Sequence, residues 1–504
     1  MDIVTKIISP LFSARERQIK SFGKRIADIQ HKQLLHLLQT AKNTEWGEKY
    51  RLREISEYRA FCERVPVSAY EDLQPFIERM INGEKNILWP SVVKWYAKSS
   101  GTTNDRSKYI PVTCDILKGC HYKGGFDTVA LYVRNNPETR FFSKKGLILG
   151  GSHSPSALNE KAHCGDLSAV LLQNLNPCVN LIRVPHKKII LMDEWEAKIN
   201  AIVENTWNKD VVSISGIPSW MLVLIKAILD KAGKETLHEV WPNLEVFIHG
   251  GVGFEPYRPQ YGKLIPSGKM HYMETYNASE GFFGIQDDPS DESLLLMPDY
   301  GIFYEFIPMN DLLTADDPEI IPSEDVEVGK NYAMVITTAG GLWRYRIGDT
   351  VRFTSLFPHK FVITGRTKHF INAFGEELMI DNAEKGIHKA CSETGAIVRA
   401  YTAAPLFILE AGKGRHQWLI EFEKQPESVD GFATALDEAL KELNSDYEAK
   451  RYKNISLLKP EIIQARKNLF YDWLKEHGKL GGQHKVPCLS NNRDLIDRLI
   501  TMNL

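Results

Sequence analysis

The chain has 504 residues, with 62 Lys and Arg against 64 Asp and Glu, for a formal charge of -2. Hydrophobic residues make up 43% and charged residues 25%, which excludes collagen-like, disordered and disulfide-scaffold classes. The near-neutral balance gives no general attraction to nucleic acid or an anionic membrane, so neither is expected as a partner. At about 150 residues per domain the length predicts two to four domains, or one large domain with a smaller one.

Met1-Asp2-Ile3-Val4-Thr5-Lys6 has no apolar run of signal-peptide length. The most apolar stretch, Trp220-Met221-Leu222-Val223-Leu224-Ile225, meets Lys226 far short of the roughly 20 residues that span a bilayer. Seven cysteines, at 62, 114, 120, 164, 178, 391 and 488, form no CxxC pair. An odd, scattered set suits reduced thiols, and a cytoplasmic location is expected.

Residues 13–41 read as one helix capped by Ser13, with Ile19, Phe22, Ile26, Ile29 and Leu34 forming an apolar stripe. The basic Arg15, Arg17, Lys20, Lys24 and Arg25 leave a membrane-surface helix as the competing reading. Strands are predicted at 92–97, 146–150, 211–215, 244–249, 332–337 and 343–353. A helix between them begins at Pro218 and ends at Gly233. Strands alternating with helices predict a mixed α/β architecture. A boundary is placed at Gly365-Arg366-Thr367, dividing the chain into 1–365 and 366–504. Beyond it a hairpin, a helix over 381–394, strands at 407–411 and 417–423, and helices over 427–444 and 460–476 predict a small α+β unit.

Absent motifs narrow the chemistry. The sequence has no GxxxxGK[ST], GxGxxG, HExxH or GxSxG, and its histidines show no metal-ligand spacing. Four segments carry signal. Ser99-Ser100-Gly101-Thr102-Thr103 follows a strand with four hydroxyls and a glycine, suited to phosphate oxygens or to an ordinary hydroxyl-rich turn. Tyr276-Asn277-Ala278-Ser279-Glu280-Gly281 pairs an aromatic ring with a carboxylate four residues on, fit to stack a purine and hold Mg²⁺, or simply a strand-end turn. Tyr345-Arg346-Ile347-Gly348-Asp349 runs a half-buried strand into a corner whose carboxylate suits ribose hydroxyls or merely caps a turn. Gly481-Gly482-Gln483-His484-Lys485-Val486-Pro487 puts a lysine on a glycine-preceded loop, either a mobile cation for phosphate or a solvated side chain.

In order and spacing these four segments resemble the Gretchen Hagen family of auxin-responsive acyl acid amido synthetases. That family lies within the adenylate-forming superfamily of acyl-CoA synthetases and firefly luciferase. The resemblance covers nearly the whole chain and implies a large N-terminal domain of β-sheets flanked by helices, holding ATP and an acyl acid. It also implies a C-terminal α+β lid hinged near Arg366. By this carry-over Ser99, Ser100, Gly101, Thr102 and Thr103 enclose the β- and γ-phosphates. Tyr276 borders adenine, Ser279 lies in the nucleotide site, Glu280 holds Mg²⁺, Asp349 binds ribose and Arg366 joins the nucleotide site. Lys485 meets the α-phosphate during adenylation, and Gly251, in Gly250-Gly251-Val252-Gly253-Phe254, looks like part of the loop lining the base.

The activity implied is ATP-dependent adenylation of a small carboxylic acid and transfer of the acyl group to an amino acid amine, by a monomer or weak dimer. An acyl-CoA ligase and a non-catalytic nucleotide-binding protein are the alternatives. Residues 118–140 and 171–183, where the acid would lie, match no known substrate pattern. Arg134, Arg140 and Arg183 are candidates there for its carboxylate.

Overall fold

Strand-rich runs and amphipathic helices build a mixed α/β molecule around one broad sheet. The computed structural model describes the chain except residues 1–2, 9, 100–107, 152–155, 176–178, 180–181, 193, 252–253, 255–256, 267, 310–311, 313–317, 368–369, 372, 374–375, 377, 409–412, 445–446, 449–450, 452–456 and 478–485. Twelve strands form the broad sheet. In its first half Lys145–Ile148, Val211–Gly216, Val246–Gly250 and His271–Ala278 run parallel. Val211, Val212, Ser213 and Ile214 are all buried, the continuous burial expected of a parallel strand covered on both faces. The covering helix Pro218–Ala232 starts on its proline and closes on Gly233, whose φ of 63 is the left-handed conformation that glycine adopts freely.

The sheet reverses direction at His271–Ala278, which pairs antiparallel with Gly281–Ile285 through the two-residue turn Ser279-Glu280. From there the pairing is antiparallel through Leu294–Leu296, His359–Arg366, Tyr345–Leu356, Asn331–Thr338 and Ile302–Pro308. A separate four-stranded sheet contains the hairpin of Trp95–Ser99 and Lys108–Val112, in which Ser99 pairs with Lys108.

The first helical segment differs from the sequence reading. Two helices, Pro10–Lys20 and Phe22–Ala41, replace one, and Ser13 lies inside the first rather than capping it. The break falls at Ser21, whose hydroxyl donates to the Gln18 carbonyl, a local bond that competes with helix continuation. Ile19, Phe22, Ile26 and Leu34 are buried, so the apolar stripe faces the core and not a membrane. Gln30 crosses onto the sheet, donating to Pro298 and Ile302 carbonyls and accepting from the Tyr304 amide.

The tail also departs in places. Residues 460–476 are not one helix: Glu461–Gln464 is a strand lying parallel to Lys413–Lys424, and the helix is Leu469–Glu476. Pairing of Ile462 with Trp418 overrides the helical spacing of that segment. Of the strand expected at 407–411, residues 407–408 are the end of Ile397–Ile408, which pairs along its length with Lys413–Lys424, and 409–411 lie outside the described residues. Helices Ile380–Thr394 and Val429–Leu443 stand where the pattern put them, and Asp494–Asn503 is an additional one. The six described cysteines are free thiols.

Between the large sheet and this tail lies a short hairpin, Phe370–Ile371 against Leu378–Met379. Its two faces pack on different cores. Phe370 and Met379 join Ile307, Met309, Ala333 and Val335 of the sheet, while Ile371 and Leu378 join Ala383, Ile387 and Trp418 of the tail. Glu376, in the same hairpin, is wholly buried and accepts from His416 Nε2 at 2.7 Å.

Candidate functional site

The reversal of the sheet gathers distant residues at one edge. Tyr276 is near the end of its strand, and Glu280 occupies the following turn, both buried. Gly250, on the neighbouring strand, permits the close approach there: a Cβ on it would stand 2.2 Å from the Thr275 carbonyl oxygen. Gly251 follows with φ 82, again a conformation that suits glycine.

Asp349 reaches Tyr276 from the antiparallel half. Gly348, with φ 88, precedes it, and Asp349 is the direct cross-strand partner of Arg366. One carboxylate oxygen accepts from the Tyr276 hydroxyl and the other from Arg366 Nε, at 2.9 Å. Asp349 and Tyr276 are buried while the Arg366 side chain is 42% exposed, so this triad has one wet end.

Glu280 has different surroundings. Burial first, and then the Asp349 charge, push its carboxyl up to about 7; its own backbone amide, Arg366 and Lys108 oppose that rise. Asp349, by contrast, is held by two side-chain donors, the Tyr276 hydroxyl and Arg366 Nε. Burial is the largest cause of the change at Glu280, which marks a place where positive charge is in demand.

Lys108 is the residue that sequence reasoning missed. Its Nζ lies 5.4 Å from the centre of the Tyr70 ring and donates to the Tyr345 hydroxyl at 3.5 Å. Tyr70 accepts from the backbone amide of Tyr109, which fixes the base of the hairpin beside this cluster. Ser99 lies opposite Lys108 in the register of that hairpin. Ser100, Gly101, Thr102 and Thr103 lie outside the described residues, as does Lys485. Ser279 is buried, and its Oγ has no hydrogen-bond partner among the described residues.

The arginine candidates for the acid separate. Arg134 donates to the Asp287 carbonyl and Arg140 to Asn243, both engaged by protein groups. Arg183 is buried at the edge pairing with Gly146, and desolvation pulls its guanidinium below its usual value.

No group of three or more His, Cys, Asp or Glu suited to a metal occurs among the described residues. The buried Glu280 carboxylate fits Mg²⁺ in the form that the ion takes with nucleotides, held by one or two carboxylates and completed by phosphates and water.

The GH3 family N-terminal domain matches residues 15–270, the family's central domain 295–366 and its C-terminal domain 381–494. The chain belongs to the GH3 family. Over 94% of its length this GH3 chain is 24% identical to indole-3-acetic acid-amido synthetase GH3.3 of Arabidopsis thaliana, covering 91% of that protein. It is 22% identical to the 4-substituted benzoates-glutamate ligase GH3.12 of the same plant, covering 97% of this chain and 98% of that one. The fold is that of AtGH3.15 acyl acid amido synthetase, solved with 2,4-DB, at TM-score 0.78 and 19% identity over 98% of this chain and 96% of that chain. It also matches 2-hydroxyisobutyryl-CoA ligase in its postadenylation state, at TM-score 0.60 and 11% identity over 95% and 92% of the two chains. The GH3 chain therefore has the adenylate-forming fold.

Proposed function

We propose that this GH3 protein is an ATP-dependent acyl acid amido synthetase, which joins a small carboxylic acid to the amine of an amino acid. The observation that carries the reading is the convergence of Tyr276, Asp349 and Arg366 with a desolvated Glu280 at one sheet edge, in a family with relatives named as an amido synthetase and a benzoates-glutamate ligase.

In the first half-reaction an oxygen of the substrate carboxylate bonds to the α-phosphorus of ATP, and the bond from that phosphorus to pyrophosphate breaks. Two anions must meet, so the site has to offset their repulsion. Mg²⁺ held by Glu280 and the phosphates would supply positive charge at the departing pyrophosphate. Lys108 adds a fixed cation at the base of the phosphate loop, and Lys485 a second one at the α-phosphate. The free lone pairs of Asp349 accept the ribose hydroxyls, with Tyr276 and Arg366 holding that carboxylate in place. The Ser99–Thr103 loop and Ser279 supply donors to phosphate oxygens, and Gly251 keeps the base-lining loop close. In the second half-reaction the amine attacks the acyl carbon, the bond to AMP breaks and the amine loses a proton.

The unit of residues 366–504 acts as the lid that carries Lys485 to and from this site, and Gly365, with φ 146, immediately precedes it. The enzyme works in the cytoplasm as a monomer or weak dimer. No helix among the described residues is long and apolar enough to cross a membrane.

The test is AMP release from ATP across a panel of carboxylic acids, with hydroxylamine as a trap and then with amino acids or coenzyme A as acceptor. Acid-dependent AMP release and amide formation support the reading. Thioester formation without amide replaces it with a CoA ligase, and no AMP with any acid refutes adenylation.

A further inference from the structure

A second polar face adjoins the site just described and takes no part in the nucleotide chemistry. His121 lies on a π-helical turn, Leu117–Tyr122, a conformation that often marks functional positions. Its ring is 3% exposed, and Nδ1 stands 3.0 Å from Asn277 Oδ1. The amide oxygen can only accept, so Nδ1 carries the ring proton and Nε2 presents a bare lone pair. Nε2 is buried and has no hydrogen-bond partner among the described residues.

Asn277 stands between Tyr276 and the Ser279-Glu280 turn. Through Asn277 the His121 ring therefore abuts the strand that carries Tyr276 and leads into Glu280. A buried ring nitrogen without a partner is a costly arrangement for a protein interior unless a ligand completes it. Burial pushes the His121 imidazole down to about 4, so at neutral pH it is uncharged. An uncharged acceptor does not recognise a second carboxylate. It recognises a neutral donor.

We propose that His121 is a specificity residue for the acyl acid, and that the substrate class is a carboxylic acid bearing a hydroxyl close to its carboxyl carbon, donated to His121 Nε2. The inference rests on the adenylation reading above, because the acid has to lie beside Glu280 to meet this ring. Asn277 is a positioning residue, since its amide oxygen sets the tautomer that leaves Nε2 as an acceptor.

The experiment measures kcat/KM for acid-dependent AMP release with matched acids: glycolate against acetate, lactate against propionate, β-hydroxybutyrate against butyrate and mandelate against phenylacetate. Each hydroxy acid is paired also with its O-methyl ether, which keeps the oxygen and removes the donated hydrogen. In the best pair the hydroxy acid is expected to exceed its deoxy partner by about tenfold or more, and the ether to gain nothing. His121→Phe should bring that ratio close to one while leaving the KM for ATP unchanged. The ratio is read within one variant, so partial loss of folded protein does not mimic the effect. Asn277→Asp, which keeps the accepting oxygen, should preserve the hydroxyl preference.

AMP release with equal rates for hydroxy and deoxy acids, equal use of the ethers, or a ratio untouched by His121→Phe would overturn the inference and leave the amido synthetase intact. Absence of AMP with every acid would overturn adenylation itself.

Discussion

Glu280→Gln separates what the site costs the folded protein from what it does for catalysis. Burial and Asp349 hold the Glu280 carboxyl at about 7 against an ordinary 4.5, and glutamine has nearly the shape of the protonated acid. The folded protein keeps its proton through a pH range in which the unfolded chain has lost it, so stability falls as pH rises through that window. The contribution is complete below the unfolded value and gone above the folded one, and the gap corresponds to about 3 kcal/mol. Melting and urea transitions of wild type and variant, followed from about pH 5 to about pH 8, should coincide at the acid end and part at the alkaline end. The variant is expected to be the more stable by up to about 3 kcal/mol there. Adding Mg²⁺ with a non-hydrolysable nucleotide should narrow the difference, because a cation beside Glu280 favours its charged form. The same variant should lose about 100-fold or more in pyrophosphate exchange. A Glu280→Gln protein that is less stable than wild type at alkaline pH, or a difference that ignores pH, would refute the reasoning.

Three further outcomes are expected. Tyr276→Phe removes one of the two side-chain donors to Asp349 and should raise the KM for ATP about tenfold with little change in kcat, as measured by steady-state kinetics. Lys485→Ala should cut pyrophosphate exchange by about 100-fold while the Kd for ATP, from calorimetry, moves by less than about threefold; an unchanged exchange rate sinks the assignment. Gly250→Ala drives a Cβ against the Thr275 carbonyl at 2.2 Å and should destabilise the full chain by about 2–3 kcal/mol in urea unfolding, whatever the nucleotide.

Much of the candidate site's local geometry was legible because its parts are short and local. A glutamate in a two-residue turn after an aromatic strand, and an aspartate after a glycine with φ 88, are readable from neighbouring residues. Lys108 was not, because its meaning comes from Tyr70 and Tyr345, which only the fold brings to it. His121 escaped for a similar reason: its burial and its bond to Asn277 join residues 156 apart in sequence. In the fold, the strands expected at 211–215 and 244–249 announced themselves by short β-branched and aromatic runs, and stand at Val211–Gly216 and Val246–Gly250. The strand Glu461–Gln464 did not, since its brief Ile462-Ile463 pair fits a helix face equally well and only Trp418 and Leu419 opposite decide the matter. Ser21 likewise broke a stripe whose apolar spacing runs on undisturbed.

The hairpin of residues 370–379 bears on how this protein can be taken apart. A fragment ending at Gly365 would bare Ile307, Met309 and Val335, which Phe370 and Met379 cover in the whole chain. A fragment extended through Met379 would keep that cover but expose Ile371 and Leu378, stripped of Ile387 and Trp418, and strand Glu376 without His416. Either cut leaves a sticky face. Recombinant halves of this chain should be made with an overlap, each carrying its own copy of the hairpin, and with a polar replacement on whichever of its two faces has lost its neighbour.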